Sequence, residues 1–223
     1  MLQRLYEIFV NHPIDLIAEL ISFLPFTFGV SRLKFLKKGA RFLPLYFFII
    51  IGRDFTSNIY AIKKINNLFL YNSSAFAEIV FVALLFSFEI HKPVVKRIVT
   101  IGAAITLFLS LFFWENTELS AGILTLSRAY ALLVVLVYFN QLIQDMNVKN
   151  ILKHSLFWIS SGLIIQFTGT FFVYLFANYA LSSNTESDLF NLYWNVNQFM
   201  YMVFCLFSTI GFWVSKYDKE NYT

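Results

Sequence analysis

Residues 119–143 read LSAGILTLSRAYALLVVLVYFNQLI, an apolar stretch with one charged side chain, Arg128. A helix rises about 1.5 Å per residue and the hydrocarbon core of a bilayer is about 30 Å thick, so about 20 such residues cross it. The stretch is therefore predicted to be a transmembrane helix. Because an ionised side chain inside such a helix costs about 2.5–3.5 kcal/mol on insertion scales, Arg128 is expected to have a polar partner.

The composition extends this class to the whole chain. Hydrophobic residues make up 58% of the 223 residues and charged residues only 13%, whereas ordinary soluble domains carry about 25% charged residues. The basic residues behind the net charge of +4 lie in short loops beside apolar stretches. Membrane orientation explains them better than nucleic-acid binding does. The lipid bilayer is thus the expected partner, and no nucleic acid is expected.

Seven stretches have the length and hydropathy of membrane spans. They cover residues 14–30, 42–62, 74–90, 98–114, 119–143, 156–181 and 189–215. The first is the least regular because Asp15, Glu19 and Pro25 lie in it, and a cleaved signal peptide is its alternative. Its acids and the lack of a small-residue cleavage pattern favour a retained helix. Residues 1–223 are therefore predicted to form a single all-α, polytopic domain of seven transmembrane helices.

Lysine and arginine residues alternate between the two sides of these spans. One side receives most of them, in the segments that follow the first, third, fifth and seventh spans: Arg32, Lys34, Lys37, Lys38, Arg41, Lys92, Lys96, Arg97, Lys149, Lys153, Lys216 and Lys219. The other side receives Arg4, Lys63 and Lys64, together with the acids of its later loops. Since basic loops stay in the cytoplasm, the N-terminus is predicted outside and the C-terminus inside.

Polar residues within the spans share helix faces and lie in the predicted outer half. Asp54 and Asn58 are four residues apart, and so are Gln166 and Thr170. Tyr71, Ser74 and Glu78 share a second face, and Asn191, Asn195 and Gln198 share a third. Lipid offers no hydrogen-bond partners, so these faces are expected to line an outward-open cavity between the second, third, fifth, sixth and seventh helices. The candidate ligand-binding residues are Arg53, Asp54, Asn58, Glu78, Arg128, Gln166, Asn195 and Gln198.

Charge neutralisation is expected inside this cavity. Arg53 and Arg128 are predicted to neutralise two of the three acids Glu19, Asp54 and Glu78. Neighbours in sequence point about 100° apart on a helix, so Arg53 and Asp54 are open to different partners. The alternative for the whole polar set is structural: hydrogen bonds between membrane helices that only hold the bundle together.

The residues that several known chemistries require are missing from this sequence. Retinal requires a lysine inside a helix, and every lysine lies in a loop or at a span end. His12, His91 and His154 are scattered at span edges and are predicted to be interfacial, so no metal site is expected. The lone Cys205 excludes an internal disulfide. Gly162 and Gly169 are predicted to permit close helix packing, and no cofactor is expected.

A resemblance is carried by the last two spans. The run FWISSGLIIQFTGTFF at 157–172, WNVN at 194–197 and IGFW at 210–213 resemble a family of small bacterial seven-helix inner-membrane proteins of uncharacterised function. The resemblance implies a stand-alone seven-helix bundle, multi-pass in the bacterial inner (plasma) membrane, and a link to sensory signalling.

Two functions remain open, and transport is a third, less favoured one. A sensor or receptor would bind a small polar or amphiphilic ligand and pass helix shifts to a separate cytoplasmic or membrane signalling protein. A lipid-directed, lysoplasmalogenase-like hydrolase would use Asp54 or Glu78 as acid or base and Arg128 to hold an anion. No catalytic motif is present, and the acidic residues of such hydrolases find no match here. Sensing is therefore favoured over enzymatic activity.

Overall fold

The computed structural model describes residues 13–145, 150–177 and 187–218. Within these residues the chain forms long α-helices and no strand, so the all-α prediction is confirmed. The helices are α1 (Pro13–Ser31), α2 (Leu43–Ile62), α3 (Leu68–Ser87), α4 (Pro93–Ser110), α5 (Ala121–Asp145), α6 (Ser155–Leu175) and α7 (Ser187–Asp218). Short 3-10 turns occupy Ala40–Phe42, Leu111–Phe113 and Ile151–Lys153.

Six of these helices are long and apolar enough to cross a membrane, and α2 is the exception. It has 20 residues, but its second half contains the polar run GRDFTSN at 52–58, which lowers its mean hydropathy. Large apolar side chains elsewhere point away from the bundle; Phe112 is 71% exposed and Leu133 is 65% exposed. Lipid tails solvate such a surface, whereas water would not. The described part of the chain therefore has the character of a multi-pass membrane protein.

Helix boundaries differ from the predicted spans mainly in the third and fourth helices. The α3 helix begins at Leu68 rather than residue 74, and α4 begins at Pro93 rather than residue 98. The added residues include Asn72 and Ser73 in α3 and Lys96 and Arg97 in α4, and a hydropathy window stops at such polar residues although the helix continues. Proline in the first turn suits a helix start, since its missing N–H is not needed there. Residues 178–181 of the predicted sixth span lie outside the described residues.

Six helices pack side by side in a closed ring. In order around the ring they are α1, α2, α3, α5, α6 and α7, and α7 packs back against α1. The α6–α7 contact is the most extensive, and α4 packs outside the ring against α3 and α5. Fully buried aromatic side chains fill the ring, among them Phe47, Phe86, Phe167, Phe204 and Phe212. The second helix is thus an integral part of the bundle despite its lower hydropathy.

Glycines set the close approach of α6 and α7. A Cβ atom at Gly162 would lie 2.7 Å from the Phe207 Cβ atom, and one at Gly211 would lie 2.9 Å from the Ser155 carbonyl oxygen. A Cβ atom at Gly169 would meet the Met200 side chain at 2.8 Å. The predicted role of Gly162 and Gly169 in close helix packing is confirmed. Small residues at such crossings let two backbones approach, which is a main source of association between membrane helices.

Replacing Gly162 with alanine should destabilise the bundle by about 1–3 kcal/mol, because the added methyl group forces α6 away from Phe207. Gly52→Ala is the matched control, since a Cβ atom there meets nothing within 4 Å. Thermal denaturation in detergent micelles measures both variants. We expect a lower Tm for the first and an unchanged or higher Tm for the second. Equal Tm values would contradict the tight α6–α7 crossing.

Candidate ligand-binding site

Polar side chains gather at the end of the bundle where α1, α3, α5 and α7 begin, which we call the pocket end. A cavity of about 40 Å³ lies there. Its lining comes from α2, α3, α5, α6 and α7, the five helices named by the sequence analysis: Tyr46, Ile50, Arg53, Tyr71, Ser74, Ala75, Glu78, Leu124, Arg128, Gln166, Tyr174, Asn197, Gln198 and Tyr201. We call it the first cavity.

A second cavity of about 30 Å³ lies beside the first. It is lined by Asp15, Ala18, Glu19, Asp54, Asn58, Tyr71, Gln198 and Tyr201. The last three residues line both cavities, so the two are separated by little more than side chains. The contribution of α1 was missed by the sequence analysis, although the spacing of Asp15 and Glu19, four residues apart on one helix face, was a usable signal.

Arg53 and Asp54 form an ion pair at the boundary between the cavities. The Arg53 Nε and Nη2 atoms donate to Asp54 Oδ1 at 2.8 and 2.7 Å. The third nitrogen, Nη1, donates to the Ser74 hydroxyl at 3.1 Å, and the guanidinium lies 4.7 Å from the centre of the Tyr71 ring. The two residues thus partner each other despite the 100° between their Cα–Cβ directions. The arginine side chain is long enough to fold back along its own helix.

Arg128 and Glu78 form the second ion pair, which joins α5 to α3. Both are buried, at 7% and 4% exposure, and the guanidinium lies between the rings of Phe167 and Tyr174 at 5.3 and 5.4 Å. With Arg53–Asp54, this confirms that two acids are neutralised by the two arginines. Glu19, the third acid, instead accepts a hydrogen bond from the Asn58 amide at 2.7 Å.

Buried polar atoms on the wall of the first cavity lack partners. Glu78 Oε1, Arg128 Nε and Gln166 Oε1 make no hydrogen bond within the described part of the chain. An unsatisfied buried polar group costs about 1–3 kcal/mol. The cavity that these atoms line is large enough for about two or three water-sized groups. The wall of the first cavity is therefore polar and incompletely satisfied within the described part of the chain.

Asp15 links α1 to α7 at the rim of the second cavity. Its Oδ1 atom accepts hydrogen bonds from Trp194 Nε1 and Gln198 Nε2, both at 2.8 Å. The Oδ2 atom of Asp15 makes no hydrogen bond with a described residue, and neither does the Oε2 atom of Glu19. Two carboxylates of α1 therefore reach the pocket without a basic partner among the described residues.

The candidate residues named from the sequence divide between the two cavities. Arg53, Glu78, Arg128 and Gln166 line the first, Asp54 and Asn58 line the second, and Gln198 lines both. Asn195 lines neither. The amide in its place is Asn197, which accepts a hydrogen bond from the Tyr174 hydroxyl at 2.9 Å. Because α7 has amides on several faces, their spacing alone did not identify the inward one.

The opposite end of the bundle, which we call the basic end, contains a second polar cluster. His154 is only 1% exposed and lies 2.9 Å from Asp218 Oδ1 and 3.1 Å from the Tyr138 hydroxyl. The prediction of an interfacial histidine is wrong for this residue, because its partners come from helices distant in sequence. These contacts tie the start of α6 to the ends of α5 and α7.

Glu89 and Lys37 complete the cluster at the basic end. Glu89 Oε1 accepts a hydrogen bond from the Gly39 N–H at 3.1 Å. Burial raises the pKa of the Glu89 carboxyl, and the nearby Lys37 ammonium opposes this shift. Burial lowers the pKa of Lys37, and Asp218 and Glu89 oppose that shift in turn. The cluster is structural in character, since neither cavity extends to it.

Comparison with known proteins gives no match to a family model, a curated protein or a solved structure. The fold and the site thus define a helical, multi-pass membrane protein by their own physical properties. The resemblance to bacterial seven-helix inner-membrane proteins stays a prediction.

Arg128→Gln should destabilise the protein by about 3–5 kcal/mol, because it leaves the Glu78 carboxylate buried without a counter-charge. The double variant Glu78→Gln/Arg128→Gln should recover a large part of that loss. Unfolding in mixed micelles at pH 7 measures both, with Arg97→Gln as the control because Arg97 is exposed. If Arg128→Gln were as mild as Arg97→Gln, the ion pair would not support the bundle.

Proposed function

We propose that this protein is a seven-span receptor or sensor of the bacterial inner membrane that binds a small polar ligand at the pocket end. The N-terminus lies outside, the C-terminus inside, and the pocket opens to the outer face. The observation that supports this proposal most strongly is on the wall of the first cavity. There Glu78, Arg128 and Gln166 have buried polar atoms without a hydrogen-bond partner among the described residues. Ligand binding there shifts the helices and signals to a separate cytoplasmic or membrane protein at the basic end.

Support for seven spans comes from the position of α2. This helix lies between α1 and α3 in the ring, and its two charges neutralise each other. Neutralising Arg53 and Asp54 removes much of the cost of placing them inside a bilayer. A ring in which α1 and α3 cross the membrane then requires α2 to cross it as well, because the connections between them are short.

Support for the orientation comes from the loops. Among the described residues, the basic end contains Arg32, Lys34, Lys37, Lys38, Arg41, Lys92, Lys96, Arg97, Lys153 and Lys216. At the pocket end the described lysines are Lys63 and Lys64. Basic loops are retained in the cytoplasm, which makes the pocket end the outer one.

Binding explains the polar site better than structural hydrogen bonding alone. Arg53 and Asp54 both belong to α2, so their ion pair itself joins no two helices, and Arg53 is linked to α3 by one hydrogen bond to the Ser74 hydroxyl. Polar groups that only hold a bundle together gain by satisfying one another. On the wall of the first cavity, however, Glu78 Oε1, Arg128 Nε, Gln166 Oε1 and the Tyr201 hydroxyl find no hydrogen-bond partner among the described residues. Their cost is offset when a ligand with complementary groups enters.

Catalysis has less support than binding. Asp54 and Glu78, the two acids that a lipid hydrolase would use, each hold an arginine. A carboxylate in an ion pair is stabilised in its charged form and is a poor proton donor. Transport has less support too, since neither cavity reaches the basic end and a transported solute needs access to both sides.

Cysteine accessibility tests the proposed pocket and its orientation. In a Cys205→Ala background, Asn58→Cys and Ala75→Cys should react in sealed cells with a small, membrane-impermeant methanethiosulfonate, because positions 58 and 75 line the two cavities. Leu133→Cys on the lipid-facing surface should stay unreactive. Lys92→Cys at the basic end should react only after the membrane is opened.

Two results would contradict the proposal. If positions 58 and 75 resisted the reagent as firmly as position 133, there would be no outward-open pocket. If position 92 reacted in sealed cells and positions 58 and 75 did not, the orientation would be reversed.

A further inference from the structure

We infer that the ligand is a small organic cation with primary ammonium groups, and that a short diamine is preferred. The inference rests on the proposed binding function and names the ligand class of the same pocket. It follows from three observations: an excess of carboxylates over arginines, the kind of atoms that lack partners, and the sizes of the two cavities.

The charges of the described residues that line the pocket do not balance. Asp15, Glu19, Asp54 and Glu78 contribute four carboxylates, and Arg53 and Arg128 contribute two guanidinium groups. Each arginine is already paired with one acid, so the excess belongs to Asp15 and Glu19 of α1. In a low-dielectric bundle, two unpaired negative charges favour a ligand that brings two positive ones.

Taken over both cavities, the atoms without partners among the described residues include more acceptors than donors. In the first cavity Glu78 Oε1 and Gln166 Oε1 are buried acceptors, Arg128 Nε is a buried donor, and the Tyr201 hydroxyl can act as either. In the second cavity, Asp15 and Glu19 each have one oxygen engaged and one that makes no hydrogen bond with a described residue. A primary ammonium has three N–H donors and no acceptor, which matches such a surface. An anion would meet four carboxylates.

Aromatic rings add to the preference for a cation. Tyr71 and Tyr201 line both cavities, and the Tyr71 ring already carries the Arg53 guanidinium on its face at 4.7 Å. The face of an aromatic ring attracts positive charge. A linear chain that passes between the cavities would therefore run past these two tyrosines.

The cavity sizes limit the ligand. Volumes of about 40 and 30 Å³ hold about three and two water-sized groups, respectively. An aminomethyl end has two non-hydrogen atoms and fits either cavity. A chain of about six non-hydrogen atoms, such as 1,4-diaminobutane, places one ammonium in each. The carboxylates are too dispersed for an inorganic ion, since no three acidic, His or Cys residues in the described ranges are placed to hold a metal.

A primary ammonium can come from two sources, a free amine or the headgroup of an ethanolamine lipid. Both present the same group to Asp15 and Glu19. The phosphate of the lipid would face the carboxylates of the pocket, whereas the free diamine brings no negative charge. The free amine is therefore preferred, and lipid composition distinguishes the two sources.

Isothermal titration of the full chain in phosphatidylcholine nanodiscs tests the inference. We expect saturable binding of 1,4-diaminobutane, binding of n-butylamine at least about tenfold weaker, and no binding of butyrate. The titration is repeated with phosphatidylethanolamine in the nanodiscs. A weaker apparent affinity for the diamine would assign the site to a lipid headgroup, and an unchanged affinity would assign it to a free amine; both outcomes retain the ammonium.

Amide variants test the assigned carboxylates while keeping one acceptor oxygen in each. Asp15→Asn and Glu19→Gln retain an oxygen that can accept from Trp194, Gln198 and Asn58, but they lose the charge and replace the other oxygen with an NH2 donor. Each should weaken diamine binding about tenfold or more. Glu118→Gln is the matched control, because the Glu118 side chain is exposed outside the pocket, and it should leave binding unchanged.

The inference fails if butyrate binds as well as the amines, or if no amine binds while positions 58 and 75 react with the thiol reagent. With either result the proposed pocket remains, and only the assignment of its ligand class is wrong. If those positions are unreactive and no amine binds, the proposed function fails with it. Binding that is unchanged in Asp15→Asn and Glu19→Gln would also overturn the inference.

Discussion

The ion pair between Arg128 on α5 and Glu78 on α3 is the interaction on which the pocket end depends. Neither residue could be buried alone in a bilayer, because each charge would lose its hydration without gaining a partner. Together they lie at 7% and 4% exposure and join two helices of the ring. The ion pair uses Glu78 Oε2, and the other oxygen, Oε1, belongs to the wall of the first cavity. The same residue therefore stabilises the bundle and provides the cavity with a hydrogen-bond acceptor.

The first helix gives the pocket its charge. Without Asp15 and Glu19 the arginines and acids would balance, and the site would be a neutral set of hydrogen bonds. With them it has two negative charges in excess, held by Trp194, Gln198 and Asn58. Asp15 also connects α1 to α7, where the ring closes. The α7 helix therefore links the α1 carboxylates at the pocket end to the cluster at the basic end.

Much of the fold could be predicted from the sequence, because hydropathy over 20 residues depends only on local composition. The helices, the membrane class and the five helices around the first cavity were recovered in this way. Positions within a helix were harder. The spacing predicts Asn195 as a site residue, but Asn197 is the one that lines the first cavity. Spacing defines a helix face but does not say which face turns inward. Polar residues such as Asn72 in α3 and Lys96 in α4 hid the starts of these helices.

Which particular side chains pair across distant segments could not be predicted from the sequence. His154 is predicted to be interfacial because it lies at the edge of a span, yet its partners Tyr138 and Asp218 come from other helices. The pairing of Arg53 with its neighbour Asp54 depends on side-chain length rather than on helix phase. The measurement that tests the account most directly is an experimental density map of the chain in lipid nanodiscs. The account predicts Arg128 in contact with Glu78 and non-protein density between them and Asp54. Arg128 extended to the membrane surface, with apolar side chains filling the cavity, would contradict it.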